Sequence, residues 1–118
     1  MDNCVRIYGN RNPMGINEWA REIHQNAVEH GFWDEEPSFA EIVALCHSEL
    51  SEALEADRND IGIINMIDGK PEGTAVELVD CMMRILDWLA AQNVNVQDVL
   101  ETKHAYNKTR TYKHGKKY

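Results

Sequence analysis

The run AVELVDCMMRILDWLAAQ, from Ala75 to Gln92, leaves the chain little choice of architecture. At about 100° per residue, its apolar side chains from Ala75 through Leu89 spread over roughly 240° of a helix. The strongly polar residues between 77 and 87 (Glu77, Asp80, Arg84 and Asp87) fall together in the remaining slot. A helix apolar over so wide an arc needs cover on several sides, from other helices or from another subunit.

Three more helices are predicted around it, and no convincing strand. The first runs from about Ile16 through NEWAREIHQNAVEH, with Gly31 as its C-terminal stop. The second opens at PSFAE, where Ser38 and Glu41 have capping-box spacing, and continues to about Arg58. The third starts near Pro71 to Thr74, after the glycine-rich loop NDIGIINMIDGKPEGT. Asn95 with Asp98 marks the cap of the fourth, VQDVLETKHAYNKTRTY, which frays before KHGKKY. The expected fold is all-α and four-helix bundle-like, with the second and third helices at its centre. One domain over residues 1–118 is expected, ending in a basic tail from about residue 108.

Charge is divided along the chain. The formal net charge is −8, yet six of the twelve Lys and Arg (Lys103, Lys108, Arg110, Lys113, Lys116, Lys117) lie in the last sixteen residues, with no acid among them. An acidic body argues against general affinity for nucleic acid or anionic membrane. No apolar run approaches the roughly 18 residues of a membrane span, and no signal-peptide pattern is present, so a cytoplasmic protein is expected. Cys4, Cys46 and Cys81 fit no zinc spacing. Cys46 and Cys81 fall in apolar helical runs and read as buried thiols in a reducing compartment.

Candidate chemistry lies where acids border apolar faces. On the second helix, Phe39, Ile42, Val43, Cys46, Leu50, Ala53 and Leu54 form one apolar face. Glu49 falls inside the edge of that face, Glu52 just beyond it, and Glu55 on the opposite, solvated side. On the third helix Glu77 and Asp80, at i and i+3, share one side of the polar slot. If the two helices pack antiparallel, Glu49, Glu52, Glu77 and Asp80 converge across one groove, where they repel unless protonated or given a cation. Hard oxygen donors without Cys or His select Mg²⁺, with Mn²⁺ as substitute. A di-iron carboxylate bundle needs two Glu-x-x-His pairs. Only Glu101 with His104 has that spacing on a helix here.

SELSEALEADR followed by VELVDCMMRILD resembles the MazG-like, all-α nucleoside triphosphate pyrophosphohydrolases. That family's signature is E-x-x-E, a spacer of roughly a dozen to nearly thirty residues, then E-x-x-D; here twenty-four residues separate Glu52 from Glu77. HGFWDE and YNKTRTYKHGKKY are also similar to the short single-domain members, so the resemblance extends from about residue 17 to 118. Ser48 stands where the family often has a further Glu. The resemblance implies hydrolysis of a (d)NTP between the α- and β-phosphates, giving the monophosphate and pyrophosphate, in nucleotide-pool housecleaning. It implies Mg²⁺ held by Glu49, Glu52, Glu77 and Asp80. By analogy Glu52 is the catalytic residue that orients or deprotonates water.

Leaving pyrophosphate needs cations, and the acidic groove offers few. Lys103, Asn107 and Arg110 fall at i, i+4 and i+7 on one face of the fourth helix and are the candidates for phosphate and sugar contact. Lys113, His114, Lys116 and Lys117 are candidates for a mobile clamp; the alternative is a tail that only balances an acidic body. Trp33 and Phe32 are candidates to stack on the base, an interaction worth about 1–3 kcal/mol, the alternative being that they cap the core at a helix end. The competing reading of the whole chain is a non-catalytic helical module whose basic tail contacts nucleic acid or an acidic partner. The wide apolar arc and the resemblance both point to a homodimer or a dimer-of-dimers tetramer.

Overall fold

The computed structural model describes residues 13–118, so Cys4 lies outside the described residues. The chain is mostly helical: α1 Ile16–Glu29, α2 Phe39–Arg58, α3 Thr74–Ala91 and α4 Val96–Lys108, with strands β1 Asn65–Ile67 and β2 Lys70–Glu72 between α2 and α3. A 3₁₀ turn follows at Tyr112–Gly115. No helix among the described residues is long and apolar enough to cross a membrane.

Helix ends fall where their chemistry dictates. Ser38 Oγ accepts from the Glu41 amide at 3.2 Å while the Glu41 carboxylate accepts from the Ser38 amide at 3.3 Å, a complete capping box for α2. Asn95 Oδ1 accepts from the Asp98 amide at the start of α4. That helix has a second cap from α1: Asn17 Oδ1 accepts from the amides of Val96 at 2.8 Å and Gln97 at 3.2 Å. Two orphan donors of α4 are thus satisfied by α1, which ties the two helices together.

The segment expected to be loop contains a small antiparallel hairpin pairing Asn65 with Glu72 and Ile67 with Lys70. Its turn is Asp68–Gly69, with φ of +53° and +78°, the left-handed pair that matches strand twist in a two-residue hairpin. The strands have only three residues each, too short for alternation to register. Pro71 therefore belongs to β2, and α3 begins at Thr74. The hairpin is docked by main-chain bonds, since the amides of Thr74 and Ala75 donate to the carbonyls of Gly62 and Ile63 at 3.0 Å.

Helix α3 is the hub. It packs against α2 on one side and α1 on another, while α4 rests mainly on α1. Phe39, at the start of α2, meets Trp88, near the end of α3, with ring centroids 4.9 Å apart, and Glu49 meets Arg84 farther along, so α2 and α3 run antiparallel. Ala20, Leu86 and Val96 form the buried centre of the α1–α3–α4 side, with Ile16, Ile23, Leu89, Ala90 and Val94 packed around it. Ile42, Glu49, Ala53 and Cys81 are buried on the α2 and α3 helices.

Much of the expected apolar arc stays open. Val43, Leu50 and Leu54 on α2, and Leu78, Met82 and Ile85 on α3, are all exposed. Each follows directly in sequence a residue of the α2–α3 contact or groove: Ile42, Glu49, Ala53, Glu77, Cys81 and Arg84. One step is a turn of about 100°, and on facing antiparallel helices that turn leads to the same side of the pair. The six exposed apolar residues therefore share one side of the α2–α3 pair, with Glu52 and Asp80 toward the other.

Candidate metal centre

Helix α2 presents Glu49 and Glu52 one turn apart, and α3 presents Glu77 from its first turn. A carboxylate oxygen from each of these three residues lies within 4.8 Å of the others. Glu49 is buried, Glu77 half-buried and Glu52 exposed, so the cluster opens to solvent at one side. Three converging carboxylates can hold a metal ion, and their all-oxygen donor set suits a hard divalent cation. Asp80 is not in that close set but is half-buried beside it.

The electrostatics are those of a site short of positive charge. Repulsion from Glu49 and a hydrogen bond with it raise the pKa of Glu52 above the usual carboxylate value. Burial first, then the charges of Asp80 and Glu52, raises Glu77. Burial and the Glu49 charge raise Asp80, with Arg84 and Lys70 pulling the other way. Each of these three carboxyl groups holds its proton more tightly than it would in water.

Arg84 is the cation bonded to this cluster. Its Nε and Nη2 each lie 3.1 Å from Glu49 Oε1. The sequence had put Arg84 in the polar slot of α3 without a task. Next along α3 is Asp87, the junction of a second network. Trp33 Nε1 donates to both Asp87 oxygens at 3.0 and 3.1 Å, His24 Nδ1 sits 2.7 Å from Asp87 Oδ1, and the His24 ring meets Trp33 edge-on at 4.9 Å. Trp33, Ile42, Leu45, Met83, Arg84 and Asp87 line part of a cavity of about 240 Å³, to which Phe32 also contributes. Trp33 and Arg84 thus border the same cavity. His24 and Asp87 were missed because they lie 63 residues apart, beyond any local pattern.

The cationic candidates are gathered elsewhere. Lys103 Nζ lies 5.1 Å and the Arg110 guanidinium carbon 5.6 Å from the centre of the Tyr106 ring, so the two cations gather at one aromatic side chain. Helix α4 ends at Lys108, however, so Arg110 lies in the turn beyond it, and among the described residues neither side chain forms an ion pair with the acids. Asn107 Oδ1 is buried with no hydrogen-bond partner among the described residues. Lys116 borders an open cavity of about 550 Å³ with Arg110, Lys113 and His114. Cys46 and Cys81 are free thiols, Cys81 buried and Cys46 half-buried. Burial and the neighbouring Cys81 raise the Cys46 pKa, which makes it a poor nucleophile.

Comparison with family models, curated proteins and solved structures gives no match for this chain.

Proposed function

We propose that this chain is a Mg²⁺-dependent (d)NTP pyrophosphohydrolase of the MazG-like type, acting in the cytoplasm on the nucleotide pool. The observation that carries the reading is the convergence of Glu49, Glu52 and Glu77 within 4.8 Å from two facing helices. Carboxylates with raised proton affinity in a groove cost stability, and a site that receives a cation accounts for them. The cavity that joins Arg84 and Trp33 gives a nucleotide somewhere to lie.

Glu49, Glu52 and Glu77 would hold the cation, with Asp80 beside them, and bound Mg²⁺ supplies charge that neutralises phosphate oxygens and eases deprotonation of water. The chain's own groups do the rest. Trp33 stacks on the base and Asp87 fixes the indole through its N–H. Glu52, the exposed carboxylate of the three, is the one placed to meet and accept the proton of the attacking water. The new bond joins water oxygen to the α-phosphorus, the α–β bridging bond breaks, and pyrophosphate leaves.

The exposed apolar face of α2 and α3 supports a homodimer, paired further into a tetramer. In such an assembly the cations of Lys103, Arg110 and Lys116, with Asn107, would serve phosphate and sugar from a neighbouring copy. That none of these cations pairs with the acids among the described residues equally favours the second reading, a binding module that uses the basic segment on nucleic acid or an acidic partner. Screening canonical and modified (d)NTPs for pyrophosphate release decides between them. Hydrolysis by the wild type, lost in Glu49→Gln and Asp80→Asn with helicity intact, is the expected result. A wild-type protein that releases no pyrophosphate in Mg²⁺ or Mn²⁺ while binding an oligonucleotide through its tail would establish the second reading instead.

A further inference from the structure

We infer that Arg84 is the phosphate-binding residue that joins the acid cluster to the Trp33 cavity, and that it grips the α-phosphate of a nucleotide even without a metal. The inference rests on the nucleotide reading above and adds to it the group that recognises the product half of the substrate.

Position is the first argument. Asp80, Arg84 and Asp87 stand at i, i+4 and i+7 on α3, so one stripe runs from the acids, through the guanidinium, to the carboxylate that holds Trp33. At 1.5 Å per residue the stripe is about 10 Å long, with Arg84 near its middle. A nucleotide with its base at Trp33 and its phosphate tail at the acids must bring its α-phosphate past this residue. Arg84 has contacts in both directions: it bonds Glu49 and also borders the cavity that Trp33 lines.

Donor accounting is the second. A guanidinium carries five N–H groups. Nε and Nη2 are directed at a single oxygen of Glu49, and no other acceptor among the described residues takes a hydrogen bond from Arg84. The side chain is 37% exposed, so part of it is within reach of a ligand. A planar fork with unused donors is suited to a phosphate that presents paired oxygens. Since the contact with Glu49 uses only Oε1, the other oxygen of that carboxylate stays available to a cation. Gripping a phosphate and steadying Glu49 are therefore compatible.

Charge is the third. Two of the three ion pairs among the described residues, His24–Asp87 and Lys70–Glu72, leave the cluster carboxylates untouched, and Arg84–Glu49 is the third. Lys70 also acts on Asp80 through space, but Arg84 is the cation bonded to a cluster carboxylate and is the one that also borders the Trp33 cavity.

The test is metal-free binding of nucleoside monophosphates, followed calorimetrically in EDTA for the wild type, Arg84→Gln and Arg84→Lys, using a panel of four deoxynucleoside monophosphates and their nucleosides. Wild-type protein should bind at least one monophosphate more tightly than its nucleoside. Arg84→Gln should weaken that binding about tenfold or more while leaving nucleoside binding unchanged. Arg84→Lys keeps the charge but loses the fork and should recover only part of the affinity. Circular dichroism and the Mg²⁺-induced rise in melting temperature confirm that each variant is folded with its acids in place. Equal monophosphate affinity in wild type and Arg84→Gln, or a wild type that binds monophosphate no better than nucleoside, overturns the inference. A wild type with no Mg²⁺-induced shift would count against the metal reading itself, a separate failure.

Discussion

Arg84 places Nε and Nη2 each 3.1 Å from one oxygen of Glu49, a carboxylate left 6% exposed among other acids. The two partners are not equivalent. Removing Arg84 strands a buried anion, whereas neutralising Glu49 leaves a cation that water already reaches. Arg84→Met is therefore expected to lower metal-free stability by about 2 kcal/mol, less than a fully buried pair would lose because Arg84 is partly solvated. Glu49→Gln should cost less and could even stabilise. Urea denaturation of both variants at neutral pH in EDTA measures the difference, and a costlier Glu49→Gln would contradict it.

The raised pKa values of Glu52, Glu77 and Asp80 fix the sign of a pH effect. A carboxyl group whose folded pKa exceeds its unfolded one binds more protons folded, so its contribution is complete below the unfolded pKa and lost as pH rises through the folded value. From these groups alone, the metal-free protein should gain stability as pH falls from neutrality toward the ordinary carboxylate range. Glu52→Gln, which removes one of the repelling charges, should raise the metal-free melting temperature at neutral pH and flatten that rise. The same change should shrink the stabilisation given by Mg²⁺, because a ligand is gone. Melting curves with EDTA and with Mg²⁺, from neutrality down to about pH 4.5, read both effects. A Glu52→Gln protein less stable than wild type in EDTA would refute the repulsion argument.

Local chemistry was legible in the sequence, and long-range pairing was legible only in part. Ser38 with Glu41 and Asn95 with Asp98 mark helix starts through contacts three residues apart, and both caps form. Glu49 and Glu77 could be aimed because helical periodicity fixes direction within one element. Asp80 could be aimed equally well, but carboxylate spacing depends on how deeply two helices interlock, and the close set holds only three residues. Asn17 capping α4, and Asp87 receiving Trp33 and His24, join residues more than fifty positions apart, which no periodicity encodes. The hairpin had a local signal in Asp68–Gly69, but three-residue strands gave no alternation to support it.

Gly73 makes the groove depend on the hairpin. Its φ is +127°, and a Cβ there would collide with the Ile63 carbonyl oxygen, a main-chain atom that cannot swing aside. That carbonyl and its neighbour on Gly62 accept from the first amides of α3, the turn that also bears Glu77. Gly73→Ala should therefore cost about 2–3 kcal/mol through strain and lost docking. It should also weaken Mg²⁺-induced stabilisation by displacing Glu77. Denaturation and metal titration test the two parts, and a variant within about 0.5 kcal/mol of wild type would show that the loop relaxes without cost.

Leu50 and Ile85 test the proposed assembly. Both are exposed, at 46% and 43%, on the apolar side of the α2–α3 pair, with Glu52 and Asp80 toward the other. Val43, Leu54, Leu78 and Met82 are exposed on the same side by helical position, more apolar surface than scattered residues require. A two-fold axis through this face would pair α2 and α3 with their counterparts and complete the cover that α3 lacks in one chain. A charge there would be desolvated in the dimer and solvated in the monomer, so Leu50→Glu and Ile85→Glu should shift the equilibrium strongly toward monomer. Light scattering after size exclusion measures mass directly, and the wild type should elute as a dimer or larger while the variants approach one chain. Since Glu52 and Asp80 lie toward the other side of the pair, Mg²⁺ should still raise the melting temperature of any variant that stays folded. A wild type that remains monomeric at high micromolar concentration would remove this face as a contact between copies.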